Sequence, residues 1–359
     1  MNTPMNTPSK NEELLLNSIV KIIEQAKGQV ASTVNSTLTL MYWHIGHEIY
    51  KQVLGNKRAE YGRRVIETLS NHLQRKYGTN EYSPRSLRRM MQFAQAFPDL
   101  QMVTPVVTQL SWTHFLLVLP LKDSVRREFY ITMAASERWS KRELENRIGS
   151  MLYERTVISG KPKDFIQKEL ATLRNENRLS PDLVFKSPYF LDFTGLKGFY
   201  SERDLEGMLL SRLQEFILEL GYGFSFVERQ KRIIVDGEDY YIDLLFYHRK
   251  LRCLVAVELK KGHFKAEYKG QMELYLRYLD KYEKENGEES PLGLLLCAEG
   301  GKEQIELMQL DAVGIKIAQY LTELPDKQRL IEELRRQRQI VEAHFIEKKE
   351  LEENSDSVD

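Results

Sequence analysis

Along the first 150 or so positions, apolar residues recur at the three- and four-residue spacing of one helix face. Leu15, Ile19 and Ile22, then Val30, Val34, Leu38, Met41 and Ile45, predict two helices over 12–50, broken near Gly28. Val65, Ile66, Leu69, Leu73 and Tyr77 stripe a helix over Gly62–Tyr77, and Gly78 supplies its left-handed cap. Ser83 then caps, and Pro84 opens, a helix running to Phe97. Further helices are predicted over His114–Leu119, Ser124–Ala135 and Ser140–Leu152, the last with Ser140 and Glu143 as a capping box.

The pattern weakens between 156 and 197, where Lys161-Pro162-Lys163, Ser180-Pro181 and Ser187-Pro188 punctuate the chain. This stretch is expected to be a connection with one short helix, Asp164–Leu173. From Tyr200 onward the pattern mixes two periods. A helix is predicted over Glu202–Leu220, ended by Gly221, and strands over Phe224–Ile234, Tyr240–His248 and Arg252–Leu259, with Asp236-Gly237 as the hairpin turn. A helix over Ala266–Lys281, a strand over Leu292–Ala298, a short helix over Gln304–Leu310 and a strand over Ile315–Leu321 follow. The expected architecture is an all-α N-terminal domain (12–155), helix-turn-helix-like, and an α/β domain (198–326) around a central mixed sheet. Residues 1–11 and the acidic end are expected to be disordered, with a charged helical tail from 327.

Composition narrows this only a little. The 359 residues are balanced at 52 basic and 52 acidic side chains, so total charge points to no polyanionic partner. Distribution says more: between Lys57 and Arg89 nine Lys and Arg stand against three Glu, a patch able to attract phosphate. Two cysteines, Cys253 and Cys297, lie inside separate apolar runs with no zinc-binding spacing, which fits a reducing compartment. The polar start, and the lack of an uncharged apolar run of about 18 residues, point to a cytoplasmic protein.

The chemistry concentrates in the α/β domain. If its strands pair as a meander, Asp243 on one strand meets Glu258 and Lys260 on the next. Side chains alternate along a strand, so Glu258 and Lys260 share a face. Two carboxylates at neighbouring strand ends make a hard oxygen site suited to Mg2+, with Mn2+ able to substitute. Such a cation lowers the pKa of water and neutralises a scissile phosphate. Glu-x-Lys alone is a common surface ion pair; here it ends the buried run Val255-Ala256-Val257, a costly place for a charge without a task.

Ile242-Asp243 followed by Val257-Glu258-Leu259-Lys260 resembles the PD-(D/E)XK signature of restriction-type nucleases, with Ile242 where the pattern has Pro. The resemblance implies that Asp243, Glu258 and Lys260 are catalytic. It also implies that Glu206, on the preceding helix, joins Asp243 and Glu258 as a metal ligand. Gln271 and Tyr275 are similar to the Gln-x-x-x-Tyr of RecB-like and lambda-exonuclease-like members, where they support the active site. Tyr61-Gly62-Arg63-Arg64-Val65-Ile66, Leu110-Ser111-Trp112-Thr113-His114 and Phe199–Leu205 extend the likeness to the bacterial YhcG-type nucleases, which pair a helical domain with a restriction-endonuclease-like one.

In the helical domain, Arg85, Arg88 and Arg89 lie at the start of the second helix of the helix-turn-helix-like pair, placed to contact DNA phosphates or guanine edges. Solvated arginines on an interaction domain explain the same pattern. Trp112-Thr113-His114 reads as core. The reading that follows is a DNA endonuclease or exonuclease. Its rivals are a non-catalytic DNA-binding or assembly protein that keeps the nuclease fold, and a scaffold. Cutting both strands of a duplex would take a homodimer or two successive events.

Overall fold

The computed structural model describes residues 35–51, 59–78, 80–157, 163–299, 310–326, 328–332, 334 and 336. The chain divides into two compact units, 1–146 and 147–359. No helix among the described residues is long and apolar enough to cross a membrane.

The first unit is helical: α1 (35–51), α2 (Ala59–Tyr77), α3 (Pro84–Ala96), α4 (Leu100–Val103), α5 (Trp112–Val118), α6 (Ser124–Glu137) and the start of α7 (Lys141–Gly149). The first of the two helices expected over 12–50 falls outside the described residues. The punctuation around α3 works as expected: Ser83 Oγ accepts from Ser86 N, Pro84 opens the helix, and Gly78 is left-handed. Tyr42, Ile49, Ile66, Leu87 and Met90 form the core joining α1, α2 and α3. At Gly46 an added Cβ would lie 1.9 Å from the Met90 carbonyl oxygen, so α1 and α3 touch through backbone, which only glycine allows. His114 is core: its Nδ1 accepts from Ser111 N at 3.2 Å, and its Nε2 lies 3.1 Å from the Trp139 carbonyl.

The second unit begins inside α7. The helix expected over Ser140–Leu152 is two, because Met151 is left-handed and α8 (Leu152–Val157) restarts after it. Then come α9 (Lys163–Glu176), α10 (Pro181–Val184) and β1 (Tyr189–Phe190). The stretch 156–197, expected as a connection, is therefore corrected: β1 pairs in parallel with the last strand as Tyr189↔Tyr320 and Phe190↔Leu321. Of the Ser-Pro pairs that suggested a linker, Ser180-Pro181 opens α10 and Ser187 Oγ accepts from Gln319 N of the last strand at 3.0 Å, and a two-residue strand is too short to show alternation. A buried ionic node holds the stretch in place. Arg155, 0% exposed, bonds Glu219 Oε1 at 2.5 Å, Lys186 donates to the Glu219 carbonyl, and Phe190 N donates to Glu219 Oε1 at 2.9 Å.

The helix expected over Glu202–Leu220 is also two, α11 (Glu202–Ser211) and α12 (Leu213–Leu220). Ser211 Oγ donates to the Met208 carbonyl at 2.8 Å, and this competition with the helical ladder coincides with the break at Arg212. Strands β2 (Phe224–Val235), β3 (Glu238–His248), β4 (Cys253–His263), β5 (Leu292–Glu299) and β6 (Ile315–Leu321), with α13 (Ala266–Tyr282) between β4 and β5, complete one six-stranded mixed sheet. Its order is β1-β6-β5-β4-β3-β2. β2, β3 and β4 form the expected antiparallel meander, turned at Asp236 and Gly237, both with positive φ; β4, β5, β6 and β1 run parallel. α13 packs Met272, Tyr275, Leu276 and Leu279 on the face that carries Leu245, Ala256 and Leu295. On the other face Phe216 of α12 meets Phe246 edge-on at 5.8 Å. The short helix expected over Gln304–Leu310 lies outside the described residues except Leu310, which opens a 3-10 turn to Val313. Of the expected tail, the described residues 328–332, 334 and 336 are helical, and Leu330 and Leu334 pack against Met151 and Phe190.

Candidate active site

The β3/β4 ladder runs from His248↔Cys253 to Leu244↔Val257, and just beyond it two carboxylates take over the pairing. Asp243 N donates to Glu258 Oε1 at 3.1 Å, and Leu259 N donates to Asp243 Oδ2 at 2.9 Å. Each acid therefore satisfies the backbone of the other's strand, which fixes both side chains. Lys260 Nζ donates to Glu258 Oε2 at 2.8 Å and lies 5.1 Å from the centre of the Tyr268 ring. The three residues predicted as catalytic are thus assembled by the meander.

Burial makes this grouping electrostatically tense. Glu258 is 2% exposed, and burial, then the charge of Asp243, raises its pKa to about 7. Burial also raises Asp243. Lys260 is pulled down by burial, but Glu258 and Asp243 outweigh that and leave it raised. The site holds more carboxylate than cationic charge in a largely buried setting, and both acids are raised for that reason.

Glu206 arrives from α11, buried, raised in pKa by burial and then by Asp243. Its contact with the pair runs through a residue that no motif singled out. Gln230 Nε2 donates to Glu206 Oε2 at 2.9 Å and to Asp243 Oδ1 at 3.1 Å. Gln230 has φ 45, an uncommon backbone state for a non-glycine residue. A signal for it did exist. Counting back from the Asp236-Gly237 turn, Val235↔Glu238 and Lys231↔Ile242 place Gln230 opposite Asp243. Glu202 was missed as well: its Oε1 accepts from Lys261 N at 2.6 Å, tying the start of α11 to the residue after Lys260.

Gln271 and Tyr275 act as a buttress. Gln271 Nε2 donates to the Tyr275 hydroxyl at 2.6 Å, and that hydroxyl donates to the Tyr241 carbonyl at 3.0 Å, two residues before Asp243. Burial, then Glu258, raises the Tyr275 pKa to about 12, so it stays a donor. Arg85, Arg88 and Arg89 belong to the other unit, on α3; the first two are exposed and the third half-buried. His263, which follows the motif, pairs with Glu299 at 2.6 Å on the surface.

Among the described residues, no three carboxylate, imidazole or thiol side chains stand together as a ready metal cluster. The expected ligand set meets instead as linked pairs, with the Gln230 amide between Glu206 and Asp243. The donor set nevertheless fits a hard divalent cation. All three acids offer oxygen, the pocket carries surplus negative charge, and Glu206 Oε1 is buried without a hydrogen bond, 3.6 Å from Arg229.

Residues 182–337 match the family described as the YhcG PDDEXK nuclease domain, and residues 18–155 match the DUF1016 N-terminal domain. The protein is thus of the class that places a PDDEXK nuclease domain behind a helical domain, as the mixed sheet and its acidic pair also indicate. Among curated proteins, "Putative nuclease YhcG" of Escherichia coli (strain K12) is 31% identical over 358 residues, covering 91% of this chain and 94% of that protein, and the chain belongs to this family. A solved structure, a repair endonuclease from Pyrococcus abyssi, aligns at 18% identity over 36% of this chain and 50% of that one, with a TM-score of 0.24.

Proposed function

We propose that the protein is a metal-dependent nuclease that hydrolyses phosphodiester bonds in DNA, with Asp243, Glu258 and Lys260 as its catalytic residues. The observation that carries this is the Asp243–Glu258–Lys260 group at the end of the β3/β4 ladder, with Glu258 buried and the other two half-buried, within a PDDEXK nuclease domain. Asp243, Glu258 and Glu206 would hold Mg2+, or Mn2+ in its place, which supplies a more acidic water and neutralises phosphate charge. Glu258 and Asp243 keep their strands in register while presenting oxygen to the pocket. Lys260, already held by Glu258, has an ammonium to turn toward a scissile phosphate or the attacking water. Gln230 holds Glu206 against Asp243, and the Gln271–Tyr275 pair fixes β3 beneath the site. On α3, Arg85, Arg88 and Arg89 are proposed to bind the DNA backbone. The setting is proposed to be the cytoplasm, and cleavage of both strands of a duplex would engage two copies of the chain or two events.

Incubation with labelled DNA in Mg2+, Mn2+ or EDTA tests the cation requirement. Cutting in either metal and none in EDTA is expected. Cutting that survives EDTA would remove the divalent ion from the account.

A further inference from the structure

We propose that Phe199, with Lys261 against it, is a base-stacking post at the edge of the active site, and that the substrate it takes is a strand with an unpaired base beside the scissile phosphate. This rests on the nuclease reading above and deepens it.

Phe199 is 98% exposed. A lone exposed Phe is ordinary; this one is set apart by how it is held and where. Lys261 Nζ lies 3.7 Å from its ring centre. The backbone N of that lysine is fixed to Glu202 Oε1 at 2.6 Å, and the preceding residue is Lys260 of the catalytic group. On the loop side, the Tyr200 hydroxyl lies 3.5 Å from that of Thr322, and Ser201 and Asp204 close a capping box that fixes the start of α11. The chain that follows Phe199 is therefore held, and the ring is tied through Lys261 to the catalytic end of β4, yet it stays open to solvent.

Bases stack on aromatic rings with little regard to sequence, because every base has a π face. Inside a duplex those faces are already stacked on each other, so only an unpaired base can reach the post. The Lys261 ammonium adds a charge for the strand's phosphates. Tyr268, with Lys260 and Lys265 at 5.1 and 5.8 Å from its ring centre, repeats the aromatic–lysine association beside Lys260. An unpaired base occurs in single-stranded DNA, at a fork, or in RNA, and the shared chemistry is the exposed base.

The test uses the full chain in EDTA, where the cation is absent, with oligonucleotides carrying 2-aminopurine. Wild type, Phe199→Ala and Phe199→Tyr are titrated onto single-stranded DNA, a forked duplex, single-stranded RNA and a blunt duplex. Quenching by wild type on unpaired strands, about ten-fold weaker binding and lost quenching in Phe199→Ala, and recovery in Phe199→Tyr are expected. Binding to the blunt duplex should be equal in all three. Equal affinity of wild type and Phe199→Ala for unpaired strands would overturn the post, as would an equal loss on the blunt duplex, or no binding of unpaired strands by wild type. The nuclease reading is judged separately, by Mg2+-dependent cutting of any substrate by wild type. Among the strands that bind, the DNA and RNA arms show which backbone carries the base.

Discussion

Glu258 has two tasks that separate under substitution. Its Oε1 accepts the Asp243 backbone N–H, and its Oε2 accepts Lys260. Glu258→Ala leaves a buried N–H unpaired, at a cost of about 1–3 kcal/mol. Glu258→Gln keeps an acceptor for that N–H and, like Glu258→Ala, gives up the Lys260 ion pair, so it should be the more stable of the two variants by about 1–3 kcal/mol. Urea denaturation of both variants checks this, and equal stability of the two would show that the bond to Asp243 contributes nothing. His248 gives a second residue-scale prediction. It is fully buried, with Nδ1 accepting from Leu251 N at 3.1 Å and Nε2 at 3.2 Å from the Tyr222 carbonyl, and burial lowers its pKa from 6.5 to about 4. The fold holds it neutral, so its contribution is complete above pH 6.5 and is lost as pH falls from 6.5 toward 4. The loss amounts to about 3 kcal/mol across that window. Glu258, raised by burial, shifts stability the other way on acidification, so the useful quantity is the difference between wild type and His248→Gln. That difference should shrink as pH drops; a constant difference would mean that His248 does not titrate as described.

At the scale of elements, α3 carries its own prediction. If Arg88 and Arg89 meet phosphates, Arg88→Ala with Arg89→Ala should weaken duplex binding and lower the slope of log affinity against log salt by about 2. An unchanged slope would take this helix off the DNA. Much of this layer was legible in the sequence because its signals are local. Ser83-Pro84 and Gly78 bracket α3 and α2, Asp236-Gly237 turns the β2/β3 hairpin, and the apolar run before Glu258 marks a central strand. What escaped depends on partners far along the chain. β1 is two residues long and exists because β6 offers an edge. Arg155, Lys186 and Glu219 form a node whose members are separated by dozens of positions. The α11/α12 break has no glycine or proline to announce it; a serine bonding back into the helix accompanies it. At the site, the meander brought Asp243, Glu258 and Lys260 together as the spacing implied. Gln230 went unseen because it matches no motif and only the strand register brings it to the acids, and Glu202 because only the α11 start brings it to the backbone after Lys260.

The whole molecule balances 52 basic against 52 acidic residues, so recognition of a polyanion would depend on where charges lie. The family places a nuclease domain behind a helical one, and the mixed sheet concentrates buried acids at one end of its β3/β4 ladder. This group is proposed to cut phosphodiester bonds. Its most direct test is the single-turnover cleavage rate in Mg2+ of wild type, Glu258→Gln and Asp243→Asn on one labelled DNA, with folding and DNA affinity measured alongside. A loss of at least about a hundred-fold in rate is expected for each variant, with unchanged folding and affinity within about two-fold. Cleavage by either folded variant at the wild-type rate would contradict it.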